Sequence, residues 1–178
     1  MDGMSVSEEG MPKEKLLLLV MGGVVGAALG GIFTSIFYVS SSLLYMHIAG
    51  IIVGAIIGAD IMGKSYRLLL NSENSVWLHA RKGFKSGFLG GITFALLSCL
   101  FARNVLLWLV FWGVQACVVA AFSGFFGGLI ARGCIGRVRA GKGRLLVNEY
   151  FVLGVMAAIA VLYYVFFYGL TQSFGRLE

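Results

Sequence analysis

From Leu16 to Tyr38 the chain runs for 23 residues without a charged side chain. About 20 apolar residues in a helix cover the hydrocarbon core of a bilayer. A backbone in that medium must satisfy its own hydrogen bonds, which restricts it to helices and closed barrels. A run this long and continuous reads as a helix. Four further stretches have the same character: Leu43–Met62, Gly83–Phe101, Val105–Ala131 and Leu146–Leu170. The expected fold is therefore all-α and integral to a membrane, with five transmembrane helices. The fourth stretch exceeds the core thickness and should tilt or project from it.

Composition agrees. The 178 residues are 59% hydrophobic and only 12% charged, where soluble domains are about one-quarter charged. The net charge of +6 could suit nucleic acid. The basic residues instead gather at the ends of the apolar runs, so no nucleic-acid partner is expected. Alternating the five runs across a membrane places Lys13, Lys15, Lys64, Arg67, Arg81, Lys82, Lys85, Arg132, Arg137, Arg139, Lys142 and Arg144 on one side. Arg103 and Arg176 fall on the other. Cytoplasmic segments carry the excess of Lys and Arg. The N-terminus is thus expected in the cytoplasm and the C-terminus outside, in a bacterial inner (cytoplasmic) membrane. Trp108 and Trp112, and the group Tyr163, Tyr164, Phe166, Phe167 and Tyr168, lie toward the expected outer ends of their runs, where amphipathic rings favour the headgroup zone. The first run has no small-residue cleavage signature after it and reads as an uncleaved span.

Glycine recurs inside these runs at a spacing of four: Gly22, Gly26 and Gly30; Gly50, Gly54 and Gly58; Gly83, Gly87 and Gly91; then Ala116, Ala120, Gly124 and Gly128. That spacing lines one slowly drifting helix face. Each glycine costs roughly 1 kcal/mol of helix propensity against alanine in water. In lipid, small residues let helices approach closely and gain packing contacts. These glycines are therefore expected to be helix-packing positions. The last run has only Gly154 and Ala158 in this spacing and is expected at the periphery.

GVVGAALGGI (23–32) aligns with GFKSGFLGGI (83–92) at an offset of sixty, and GAIIGADIMGK (54–64) with GGLIARGCIGR (127–137) at seventy-three. The expected organisation is two similar Gly-rich hairpins and an appended helix. It divides into a cytoplasmic tail (1–15), a first hairpin (16–64) and a cytoplasmic loop (65–82) that is either an ordinary loop with a few buried anchors or one holding an interfacial helix. A second hairpin (83–131), a basic cytoplasmic loop (132–145), and a fifth helix with a short tail (146–178) complete it.

Few polar residues interrupt the runs, and an ionisable group inside a span is by default a functional hypothesis. Asp60 either pairs with Lys64 four residues on or forms a cation or proton site. His47 either hydrogen-bonds a neighbouring helix or marks the other end of a path. Gln115 suits an interhelical hydrogen bond or a polar route. Glu149 suits a helix N-terminus. Cys99, Cys117 and Cys134 have no metal-binding or redox spacing and read as small apolar residues. No nucleotide loop, zinc-hydrolase or serine-hydrolase motif is present, so no enzyme, cofactor or metal is expected. Arg132, Arg137, Arg139, Lys142 and Arg144 either set topology alone or dock to anionic headgroups or an acidic partner. Abundant packing surface and scarce polar chemistry suit a structural or accessory subunit of a membrane complex. Its partners would be the bilayer and either another membrane protein or a second copy. The alternative is a small oligomeric channel or transporter using Asp60, His47 and Gln115.

Overall fold

The computed structural model describes residues 13–37, 44–71, 75–100, 105–142, 146 and 148–174. Every regular element among them is helical: α1 (Lys13–Phe37), α2 (Leu44–Leu70), α3 (Val76–Cys99), α4 (Val105–Trp108), α5 (Val114–Arg139) and α6 (Glu149–Phe174). A π-helical turn, Leu109–Gly113, joins α4 to α5. Three helical stretches are long and apolar enough to cross a membrane: Lys13–Ser35, Met46–Leu70 and Leu109–Val138. Helix α3 begins with Arg81, Lys82 and Lys85 in its first half, and α6 carries a shorter apolar stretch, Glu149–Leu162. The side chains of Trp108, Trp112, Arg139, Tyr163, Tyr164 and Phe166 to Tyr168, together with Arg103, Arg144 and Arg176, lie outside the described residues.

Helix boundaries follow local chemistry. The Asn148 carboxamide oxygen accepts hydrogen bonds from the backbone N–H of Tyr150 (2.9 Å) and Phe151 (3.4 Å). It thereby satisfies two of the donors that open α6, and Glu149 in the first turn pairs with Lys13 of α1. At the other end of α5, Gly141 takes φ +70°. Its N–H donates to the Val138 carbonyl and that of Lys142 to the Arg137 carbonyl, both at 3.0 Å. This closes the helix in the paired pattern that a left-handed residue permits.

Two hairpins dominate the packing: α1 against α2, and α3 against α5. Each is closed backbone to backbone. A Cβ placed on Gly26 would lie 2.9 Å from the Gly54 carbonyl carbon, and one on Gly30 would lie 2.9 Å from that of Gly50. On the second hairpin, a Cβ at Gly87 would lie 2.8 Å from the Ala120 carbonyl carbon, and one at Gly91 would lie 2.6 Å from the Cys117 Cα. Carbon atoms in comfortable contact stay about 3.5–4.0 Å apart, so these faces exist only because the side chains are absent. Gly22 meets Gly58, and Gly83 and Gly128 face each other's helices in the same way. The contacts run in a register unlike the sequence alignment. Gly22, Gly26 and Gly30 play the parts of Gly83, Gly87 and Gly91, sixty-one residues on, and Gly50, Gly54 and Gly58 those of Ala116, Ala120 and Gly124, sixty-six on. Glycine-rich strings score well when slid by one residue or two turns, whereas the helices accept one register of contact.

Helix α2 joins the hairpins by packing against α3 and α5, and α6 rests on α1. At one end Leu18, Ile61, Leu69, Ala131 and Ile135 form a buried cluster; at the other Met46, Val53, Phe94 and Ala116 form a second. The first cluster explains why the membrane helices extend into the segments 65–82 and 132–145. Between 65 and 82, α2 continues to Leu70 and α3 starts at Val76, because Leu68 and Leu69 are buried there. Between 132 and 145, α5 continues to Arg139, because Ile135 is fully buried and Val138 packs beside it. Burying a Leu or Ile side chain stabilises by about 1.5–3 kcal/mol, enough to carry a helix past the charges beside it.

Candidate functional site

Asp60 lies on α2, with its side chain two-fifths exposed. Its Oδ2 accepts from Lys64 Nζ at 2.5 Å and from Ser86 Oγ of α3 at 2.7 Å. Lys64 Nζ also reaches Ser86 Oγ at 2.9 Å. The three groups close a triangle that ties α2 to α3. A serine beside a lysine is an arrangement that can make a nucleophile only if the amine is free to take the proton. Here Lys64 donates to both the Asp60 carboxylate and Ser86, and Ser86 bridges α3 to that pair. Ser86 is buried and was not foreseen as a partner. Nothing in the sequence links it to Asp60, because the link depends on how one hairpin leans on the other.

His47 is buried near the opposite end of α2, and its Nδ1 lies 3.1 Å from Thr34 Oγ1 of α1. The Thr34 hydroxyl directs its one proton to the carbonyls of Gly30 and Gly31, each at 3.0 Å. The contact with His47 thus ties α2 to α1 at this end. Thr34 could have been found by counting. One helical turn outward from the Gly30–Gly50 contact reaches Thr34 on α1 and Met46, beside His47, on α2. Gln115 is exposed on α5 and makes no hydrogen bond to another helix among the described residues. His47 and Asp60 stand thirteen residues apart on one helix, about 20 Å, and Gln115 is on another. The structure does not bring the three together.

Arg132, Arg137 and Lys142 lie on the last turns of α5 and just beyond it. His79 is fully buried on α3, where its backbone meets Gly128. The three cysteines are half-buried and unbridged. No cluster of metal-binding side chains occurs among the described residues.

A concavity lies elsewhere among the described residues. A cleft of about 480 Å³ runs between α1 and α5, with α2 as its floor. Phe33 and Phe94 meet edge to face (centroids 6.5 Å apart) at one end of it, and Met62 and Cys134 lie at the other. Its lining is almost wholly apolar; Thr34, Ser123 and Cys134 are the polar side chains that touch it. Asp60, His47 and Gln115 do not line it. No protein-family model matches the chain, and neither a curated protein nor a solved structure matches it.

Proposed function

We propose that this chain is a multi-pass membrane protein in which all five apolar segments cross the bilayer, with the N-terminus in the cytoplasm. It acts as a non-enzymatic structural or accessory subunit of a membrane complex. The observation that carries this reading is where the polar groups go. Asp60 is engaged by Lys64 and Ser86, and His47 by Thr34, each holding one helix to another. The cleft that could serve as a path is apolar and touches none of the three residues a polar route would use. A charged or hydrated solute crossing an apolar passage loses its water without replacement, at a cost of several kcal/mol. Backbone-closed hairpins, by contrast, give the rigid exposed surface on which a partner can assemble. The exposed side chains of α6, among them Tyr150, Leu153, Val161 and Val165, provide such a face, and the two hairpins are read as products of one duplication.

Topology and role are tested together. A periplasm-active reporter fused after Glu178 is expected to be active, and activity only of a cytoplasmic reporter removes the five-span arrangement. Protein reconstituted into liposomes is expected to leave ion and solute gradients intact. Flux that disappears in Asp60→Asn replaces the accessory role with that of a small channel or transporter.

A further inference from the structure

Helix α3 interleaves rings and cations on one side. Trp77, Arg81, Phe84, Lys85 and Phe88 are all exposed. At about 100° per residue they fall in one sector of the helix, roughly 100° wide. The other sides are taken: Gly83 and Gly87 meet α5, while Ser86 and Gly90 meet α2. The exposed sector turns away from α2 and borders α5, where the Trp77 ring meets Phe125 edge to face with centroids 6.2 Å apart. Phe84 and Phe88 stack in parallel one turn apart, at 6.5 Å. The rings form a row along the helix, and Arg81 and Lys85 stand beside it.

The two cations sit at i and i+4, a spacing at which like charges repel. Neither has an ion pair among the described residues. The acids described there are engaged or distant: Asp60 pairs with Lys64, Glu149 with Lys13, and Glu14 lies on α1 in the other hairpin. Charge complementarity therefore calls for an anion between Arg81 and Lys85. The rings say which kind. A hydrated anion or an acidic loop gains nothing from Phe84 and Phe88, whereas a molecule with an apolar body beneath its charge covers both. With α3 crossing the bilayer as proposed, the Trp77 end is cytoplasmic and Phe88 lies toward the hydrocarbon. Amphipathic rings favour the headgroup zone. Long basic side chains lay their stems on apolar surface and keep the charge at the interface. Anionic lipid is found in the cytoplasmic leaflet. The basic end of α5 lacks this combination, since residues 132–142 include no aromatic side chain.

We infer that this face of α3 binds one anionic glycerophospholipid, its phosphate held between Arg81 and Lys85 and its acyl chains lying along Phe84 and Phe88. The site rests on the multi-pass reading and not on the accessory role.

The test uses the full chain with Trp77→Phe, Trp108→Phe and Trp112→Phe, and with Phe88→Trp as the single tryptophan. It is reconstituted in vesicles of equimolar phosphatidylglycerol and phosphatidylcholine, one or the other brominated on an acyl chain so that it quenches an indole it touches. Brominated phosphatidylglycerol is expected to quench more than brominated phosphatidylcholine. Arg81→Gln and Lys85→Gln are each expected to lower that preference about fivefold, the factor that ~1 kcal/mol per basic residue represents. Lys15→Gln removes the same charge from α1 and is expected to leave the preference unchanged. Helical circular dichroism and monodisperse elution show that each variant is folded. Equal quenching by the two lipids in the parent, or an unchanged preference in Arg81→Gln and Lys85→Gln, overturns the proposal. So does an equal loss in Lys15→Gln, which would reduce the effect to overall surface charge, and so does quenching by neither lipid, since protein would then cover the face. A chain that passes the topology test but shows no lipid preference fails this proposal alone.

Discussion

Adding one methyl group to Gly54 should separate α1 from α2. The new Cβ would lie 2.9 Å from the Gly26 carbonyl carbon and 3.2 Å from the Gly30 Cα, and nearer still to the Gly26 carbonyl oxygen. These are backbone atoms, so no rotamer change relieves the contact. The helices must move apart by about 1 Å to restore normal separations, and a gap of that size forfeits a quarter to a half of each dispersion contact along the seam. Overpacking of this kind costs about 1–3 kcal/mol. Alanine also raises helix propensity by up to about 1 kcal/mol, which would mask part of the loss. Gly154→Ala supplies the correction, because a Cβ there meets nothing within 4 Å and records propensity alone. Gly90→Ala falls between, since the added methyl meets the Ile57 side chain, which can rotate. Unfolding in mixed micelles, followed by far-ultraviolet circular dichroism, should rank stability Gly154→Ala above Gly90→Ala above Gly54→Ala. The first and last should differ by about 1–3 kcal/mol. With leucine the contrast should become folding against failure to fold. Equal stabilities for Gly54→Ala and Gly154→Ala would refute the argument from backbone contact.

Four other perturbations follow from the hydrogen bonds. A double-mutant cycle on His47→Phe and Thr34→Val should give a coupling of about 0.5–1.5 kcal/mol; additive effects would show that the 3.1 Å contact contributes nothing. Asp60→Asn should lower stability by no more than about 1 kcal/mol, because the pair with Lys64 is partly exposed to solvent. Ser86→Ala should cost a similar amount, and both are read from the same unfolding curves; a loss of several kcal/mol in either would mean the triangle is far more buried in the membrane than in the isolated chain. Asn148→Ala should cost about 1 kcal/mol and speed amide exchange in the first turn of α6 while leaving α5 unchanged; unaltered exchange at Tyr150 and Phe151 would remove the cap.

The apolar runs, the scarcity of charge and the spacing of four in glycine were enough to specify helices and to mark the face on each that lacks side chains. Elements of secondary structure in so apolar a chain follow from its own backbone, which must bond to itself. The pairing of Asp60 with Lys64 was equally local, four residues along one helix. Other features depended on distance in the sequence. A bare glycine face announces that something will come close but not what, since a backbone looks the same from every approach. Hence the register of contact, Gly30 on Gly50 in one hairpin and Gly91 on Ala116 and Cys117 in the other, is legible only in the structure. The extension of α2 to Leu70 and of α5 to Arg139 awaited the cluster around Ile135 that buries their ends. Ser86 reached Asp60, and α1 stayed clear of α5, only because of the angle at which two finished hairpins met. That angle belongs to no segment of the sequence: it is set by the summed packing of side chains more than twenty residues apart.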